Sequence, residues 1–299
     1  MDIIYDKHEA DYKECLSDTD KLKIANSWLR LDTLDYWRHN RMLNLLKPFL
    51  KKNEKWLTIG DGRYGSESAW LKRHGINCHA SDMHTHLLDL AHKKGLIDSF
   101  SFQNAEKLDF ESKTFDYVLI KETLHHLPRP WLALYEAYRV CKKGVIIIEP
   151  KDTFHNDNLL RILFIKFKNL VKKILRKNVY KDEYGFEEVG NFIYTVNNRE
   201  LEKFLLGMHK TSIASNNIND HYFKGVENIL TKSNKLKDRL SFLELRFFIF
   251  IKDFLCKTGF LQYSIGEFVL FKKNPNSKLL LQMKKKNWDF KKLPLNPYL

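Results

Sequence analysis

From residue 56 the apolar positions fall into short blocks separated by helical-period stretches. Trp56-Leu57-Thr58-Ile59 is a buried-strand block leading to a helix over 66–74 that ends at Gly75. A strand over 76–82, a helix over 84–94 ended by Gly95 and a short strand near 99–103 follow. Phe115-Asp116-Tyr117-Val118-Leu119-Ile120 and Gly144-Val145-Ile146-Ile147-Ile148-Glu149-Pro150 read as central strands flanking a helix over 131–141, whose entry is punctuated by Pro128 and Pro130. Such alternation predicts a parallel sheet covered on both faces, with binding at the carboxyl ends of its strands. Those ends carry Gly60, Asp82, Asn104, Lys121, Glu122 and Glu149.

Outside this core the pattern changes. Residues 20–50 place Leu22, Ile24, Trp28, Leu31, Leu34, Tyr36, Trp37, Met42, Leu45 and Leu46 at three- and four-residue steps, a helical run stopped by Pro48. Beyond Pro150 we expect helices over 158–177, 198–208 and 235–257, a strand near 211–215 and a last sheet strand over 267–271. The stretch from Lys272 to Leu299 is basic, holds three prolines and reads as a surface tail. The domain reading is a helical cap over 1–50, a main domain over 51–272 with a basic helical insertion at about 152–196, and a basic tail over 273–299.

Composition narrows the class. The chain has 299 residues, 43% of them hydrophobic, which suits one large domain with additions. The start, MDIIYDKHEADYKEC, is not that of a secretory signal, and charges interrupt both greasy stretches, so we expect a cytoplasmic protein without a spanning helix. Cys15, Cys78, Cys141 and Cys256 show no metal-type spacing; no metal site is expected and the thiols read as reduced. The net charge of +14 is uneven: residues 1–150 hold 23 Lys/Arg against 22 Asp/Glu, residues 151–299 hold 28 against 15. An anionic partner would therefore be met in the second half.

The sharpest motif is Gly60-Asp61-Gly62-Arg63-Tyr64-Gly65 directly after the first strand, with Asp82 closing the next one. Glycines allow close approach of a ligand, and a carboxylate at that distance can accept from ribose hydroxyls. With the sheet layout this is a nucleotide-binding βαβ unit; the competing, blander role for Asp82 is that of a turn cap.

Taken together, WLTIGDGRYG, HASDM, NAEKLDF, FDYVLIKETLHHLPRP and KKGVIIIEP resemble the class I S-adenosylmethionine-dependent methyltransferases, over about residues 50–150 with the final strand at 267–271. The resemblance implies a Rossmann-like, doubly wound, mostly parallel seven-stranded sheet and S-adenosylmethionine as cofactor. It implies that Gly60, Asp61, Gly62 and Gly65 cradle the methionine part, and that Asp82 binds the ribose with Met83 beside the adenine. Asn104, Ala105 and Glu106 would meet the adenine edge, and Lys121, Glu122, Thr123, Leu124, His125 and His126 would face the methyl group and acceptor. Thr58 stands where the family usually has an acid, and Tyr64 where it often has glycine. The resulting GxGxxG spacing keeps an NAD(P)-dependent oxidoreductase open, and a non-catalytic binding module and an RNA methyltransferase stay open beside it. The cap residues Trp37-Arg38-His39-Asn40-Arg41 and the phrase GDGRYGSE look like methyltransferases of bacterial surface-polysaccharide clusters, which points to a small-molecule or glycan-precursor hydroxyl or amine as acceptor.

Methyl transfer to a hydroxyl needs alignment and a base. His125 or His126 would serve, unless one packs under the sheet end and the other caps the next helix; Glu122 is the rival base. Tyr194, Arg199, Asn216, Asn217, Asp220, His221 and Tyr222 form a polar set that could line an acceptor pocket or merely build turns. Residues 158–177 carry seven Lys/Arg and no acid. They read either as a helix lying on an anionic membrane, at its inner face, or as a covering helix with solvated lysines. Nucleic acid is the lesser reading of the basic half, since no RNA module is recognisable.

Overall fold

The computed structural model describes residues 2–17, 27, 29–152, 159–175, 185–186 and 192–298. The expected helical positions Leu22, Ile24 and Trp28 lie outside these residues, as do Arg176 and Lys177.

Among the described residues two α-helices of defined bounds precede the sheet. The first, α1 (Asp2–Ser17), falls in the expected cap but ahead of the helical run read over 20–50; the second, α2 (Leu34–Leu43), is capped by Thr33, whose side chain accepts from the Tyr36 amide. Pro48 does not stop a single long helix. It sits inside a 3-10 turn, Asn44–Phe49, that continues α2 and buries Leu46 and Phe49. The sheet core runs β1 (Lys55–Ile59), α3 (Ser66–Arg73), β2 (Asn77–Asp82), α4 (His86–Lys93), β3 (Ser99–Phe102), β4 (Phe115–Lys121), α5 (Pro130–Val140) and β5 (Cys141–Pro150). Then come α6 (Leu159–Ile174), α7 (Asn198–Gly207), β6 (Ser212–Ile218), α8 (Leu236–Lys257), β7 (Ile265–Phe271), α9 (Ser277–Lys284) and β8 (Asp289–Lys292).

The strand order is β3-β2-β1-β4-β5-β7-β6-β8. All neighbours from β3 to β5 are parallel, whereas β7 runs antiparallel to both β5 and β6. The fold is thus α/β, Rossmann-like and mostly parallel, as expected. It has eight strands rather than seven, because β8 pairs antiparallel with β6. The same segment overturns the reading of 273–299 as a surface tail. Asn276 caps α9, Leu279, Met283, Trp288 and Leu293 are buried, and the Trp288 indole donates to the Leu45 carbonyl at 2.9 Å. Few apolar side chains anchor it, and the lysines between them obscured their spacing.

Two apolar layers sandwich the sheet. One joins alternate sheet positions such as Leu57, Val118, Ile120, Val145 and Ile147 to α5 and α7. The other joins Trp56, Leu119, Ile146, Ile148 and Val269 to α2, the 3-10 turn and α9. The chain order reverses at β1, which lies between β2 and β4. The crevice for a ligand therefore opens beyond the carboxyl ends of β1 and β4.

Candidate functional site

The loop after β1 is fixed before any ligand arrives. The Gly60 and Asp61 amides donate to the Ser81 carbonyl at 2.9 and 3.2 Å, tying the loop to β2. Gly60 has φ +76°, and a Cβ there would lie 2.2 Å from the Thr123 side chain. At Gly62 a Cβ would lie 2.7 Å from the Asp82 carboxylate, so both positions require glycine. Gly65 is different: a Cβ there would strike Ile97 in the loop before β3, which makes this glycine a packing residue.

Asp82 closes the loop from the other side. Its Oδ2 accepts from the Gly62 amide at 2.9 Å and its Oδ1 from the His84 amide at 2.7 Å. An ionised carboxylate has about four acceptor positions, so each oxygen keeps one beyond its backbone amide, with His84 Nδ1 standing 3.6 Å from Oδ1. Two free acceptors side by side fit two vicinal hydroxyls. Met83 is half-buried beside it, and the Gln103 amide donates to the Asp82 carbonyl at 3.0 Å, bringing the Asn104 loop alongside. From α1, Tyr12 stacks on His84 at 4.2 Å and covers this end.

Three expected ligand residues have other partners. The Asp61 side chain is buried beneath the loop, where it accepts from Thr58 Oγ1 at 2.8 Å and the Ser68 amide at 2.9 Å. It thereby supplies, three residues later, the buried acid missing at Thr58. Burial and the neighbouring Glu67 push its pKa well above the usual range. Ala105 is buried in the core. Glu106 turns to Arg129, accepting from its amide at 2.8 Å and its Nε at 2.7 Å. Asn104 closes an Asx turn onto the Glu106 amide at 2.8 Å.

After β4 the expected group divides between the two faces of the sheet. Lys121 and Ile148 are register partners, and Ile148 pairs in turn with Glu267, so these three share the α2 face. Lys121 Nζ lies 2.6 Å from Glu122 and 3.3 Å from Glu67. Burial disfavours the Glu122 anion, yet Lys121 and His39 outweigh it and hold its pKa well below the usual range. Burial likewise opposes the Glu67 charge, and Lys121 with Asp61 and Ser66 holds its pKa down to about 2. Glu122 is thus an ion-pair member and a weak base.

Glu149 and His125 lie on the opposite face. Glu149 is fully buried; its Oε1 accepts from the Thr123 and Leu124 amides at 2.7 and 2.8 Å, and its Oε2 lies 2.6 Å from His125 Nδ1. His126 packs against His125 with ring centroids 3.9 Å apart and the rings tilted by 40°. This arrangement favours the packing reading of His125: its ring and Glu149 fix the backbone after β4.

Two residues that the sequence placed in the cap and in the last strand, without a site role, complete the α2 face. His39 Nδ1 has no hydrogen-bond partner and lies 3.6 Å from Glu122 Oε2. Burial, then Lys121, lowers its pKa below 6.5, which keeps the imidazole neutral. Glu267 is fully buried and neither carboxyl oxygen has a hydrogen-bond partner. Burial raises its pKa well above 4.5, with Lys121 and Arg41 only partly offsetting this. Its sequence signal was an acid within the otherwise apolar run Phe268-Val269-Leu270-Phe271 and Ile265. Arg38 pairs with Asp35 at 2.6 Å and with Asp220, and its guanidinium lies over Tyr222. Of the polar set in the second half, Asp220 and Tyr222 therefore reach this face. Asn217 accepts from Lys151, Asn216 donates to the Lys286 carbonyl, and Arg199 lies near Glu202.

A family model described as a methyltransferase domain matches residues 57–148, from within β1 to within β5. Residues 57–148 are a methyltransferase domain. Over 104 residues the chain is 33% identical to the ubiquinone/menaquinone biosynthesis C-methyltransferase UbiE of Allorhizobium ampelinum, covering 34% of each chain. It is 32% identical over 116 residues to the protein of the same name from Sinorhizobium fredii, covering 36% of this chain and 45% of that one. The chain thus spans about one third to under one half of the length of these curated relatives. A SAM-dependent methyltransferase structure from Archaeoglobus fulgidus has 17% identity and a TM-score of 0.47, covering 78% of this chain and 94% of that one. The matched span contains the glycine loop, Asp82 and Lys121, Glu149 follows directly after it, and His39 and Glu267 come from outside it.

Proposed function

We propose that this chain is an S-adenosylmethionine-dependent methyltransferase acting on a small molecule or glycan precursor in the cytoplasm. The observation that carries the reading is the Gly62–Asp82 contact at the point where the strand order reverses. It leaves a glycine-walled crevice and two free carboxylate acceptors. Gly60, Gly62, Asp82, Met83 and the Asn104 loop would hold the cofactor, which when bound supplies an electrophilic methyl group on a sulfonium.

The chain's own contribution is placement and proton handling. Neutral His39, with Nδ1 unbonded, is the base we assign in place of His125. Its Nδ1 is buried here, so it would take the acceptor's proton after a ring rotation that exposes it, and the Glu122 carboxylate 3.6 Å away would stabilise the imidazolium that forms. Lys121 keeps Glu122 ionised for this role. An acceptor hydroxyl, amine or activated ring carbon would each use this base. The first two follow from the likeness to surface-polysaccharide enzymes; for the third, the name of the UbiE relatives gives C-methylation and no more.

Isothermal titration with S-adenosylmethionine, S-adenosylhomocysteine, NAD and NADP tests the proposal. Binding of the first two alone is expected. Binding of a dinucleotide alone would transfer the loop to an oxidoreductase, and binding of none would leave a non-catalytic module.

A further inference from the structure

Two helices of the second half leave unusually large apolar faces in solvent. On α8, Leu236, Leu240, Leu243, Phe247, Phe250 and Phe254 recur at alternating four- and three-residue steps, and all are exposed, Phe250 by 64%. They form one stripe along a helix about 33 Å long. The opposite side of α8 is anchored. Leu245 and Ile249 are buried with Leu34 and Val226, Phe242 meets Trp37 edge-on at 5.2 Å, and Lys252 donates to the Asp220 carbonyl. The stripe is therefore not a core face awaiting its own domain. On α6, Leu163, Phe167, Leu170 and Ile174 make a second exposed stripe at the same alternating spacing, Phe167 by 64% and Ile174 by 72%.

Charge identifies the partner. Exposed Arg239, Arg246 and Lys257 lie along one border of the α8 stripe, with Lys237 on the other, and Glu244 is the one exposed acid of that helix. Exposed Lys166 and Lys173 border the α6 stripe, and α6 has no acid. A second copy docked on α8 would bring the like-charged border of each helix against the other. An anionic surface with an apolar interior satisfies both features. Among the described residues no helix is long and apolar enough to cross a membrane, so the contact is one of lying in the interface.

Topology puts both helices at the same edge of the sheet as the candidate site. Helix α6 follows Pro150 at the end of β5, and α8 lies between the end of β6 and the start of β7. Pro150 and Ile218 both pair with Ile265, on the side where Lys121 and Glu149 end their strands.

We propose that α6 and α8 together form a docking surface for an anionic lipid bilayer, holding the mouth of the crevice toward the membrane. This extends the sequence-based expectation for 158–177 to a second, aromatic helix, one expected over 235–257 but given no membrane role there. It stands on the exposed stripes and their charge and does not depend on the methyl-transfer reading.

The test is co-sedimentation of the full chain with vesicles of phosphatidylcholine alone or mixed with phosphatidylglycerol, at low and high salt. Binding to the mixed vesicles only, weakened by salt, is expected. Phe247→Ser/Phe250→Ser/Phe254→Ser should lower the partition coefficient by about 100-fold, since each phenyl withdrawn from lipid forfeits roughly a factor of five. Their exposure leaves the fold intact, checked by circular dichroism, and S-adenosylmethionine titration of the same variant should match wild type. Arg239→Glu/Arg246→Glu/Lys257→Glu provides an independent variant, expected to abolish the preference for anionic lipid. Failure to bind either vesicle overturns the proposal, as does equal binding to both. A wild-type dimer in analytical ultracentrifugation that the phenylalanine variant dissociates would assign the stripe to a second copy and equally overturn it.

Discussion

Replacing Asp82 by asparagine separates its two roles. In the structure each carboxylate oxygen already accepts one backbone amide, from Gly62 at 2.9 Å and His84 at 2.7 Å. An amide side chain keeps one oxygen and turns an NH2 toward the other donor. One charge-assisted hydrogen bond is then lost from the folded protein, about 1.5–3 kcal/mol. For a protein of this size that lowers the melting temperature by about 3–12 °C. One of the two acceptors left for the ribose disappears as well. A second loss of about 1.5–3 kcal/mol raises the Kd for S-adenosylmethionine by about 10- to 150-fold. Thermal melts without ligand read the first effect, and calorimetric titration well below the melting temperature reads the second. Asp82→Ala should destabilise more, because it strands both amides. A lowered melting temperature with an unchanged Kd would refute the ribose assignment and leave Asp82 as a loop staple.

Four further outcomes are expected. Glu267→Gln should flatten a pH dependence: the raised folded-state pKa gives a contribution complete below about 4.5, lost as pH rises through the folded-state value. The wild-type melting temperature should accordingly fall relative to the variant above that pH, and a constant difference between the two would exclude a buried, elevated carboxyl. His125→Ala should cost about 1.5–3 kcal/mol of stability by removing the Glu149 partner, with cofactor affinity retained. Lost turnover at unchanged stability would restore His125 as the base. His39→Gln should reduce turnover on an acceptor by about 10²–10⁴-fold at unchanged cofactor affinity, and the wild-type acid limb should lie below pH 6.5 because burial and Lys121 lower the His39 pKa. Turnover within a few-fold of wild type would remove His39 from proton transfer. Trp288→Ala should cost about 3–5 kcal/mol, measured by denaturant unfolding, since the indole is buried and bonded to Leu45; a negligible loss would return the C-terminal segment to the surface.

Much of the α/β core was legible in the chain because its signals are local. A run such as Val145-Ile146-Ile147-Ile148, held between Gly144 and Pro150, is β-branched and too short for a helix, and Gly75 and Gly95 mark helix ends. Gly60, Gly62 and Asp82 were readable for the same reason: strand, loop and acid are spaced by one βαβ unit, and that unit fixes their proximity. The eighth strand was not readable. Asp289-Phe290-Lys291-Lys292 acquires its identity only by pairing with β6, nearly eighty residues earlier in the chain.

The division of the site was likewise a tertiary decision. Successive residues of a strand point to opposite faces, so Ile148 and Glu149, adjacent in sequence, belong to different environments. Sequence adjacency grouped Lys121, Glu122, His125 and His126; the fold sends the first two to His39 and Glu267 and ties His125 to Glu149. His39 comes from a helix more than eighty residues before Glu122, and Glu267 from a strand more than a hundred and forty residues after it. The chain by itself determined which elements form and where a nucleotide-sized cofactor would approach, because short-range sterics and hydrophobic period decide both. Which acids are paired, which imidazole stays neutral and which helix faces reach solvent depend on burial and on distant charges, and those exist only once the chain has folded.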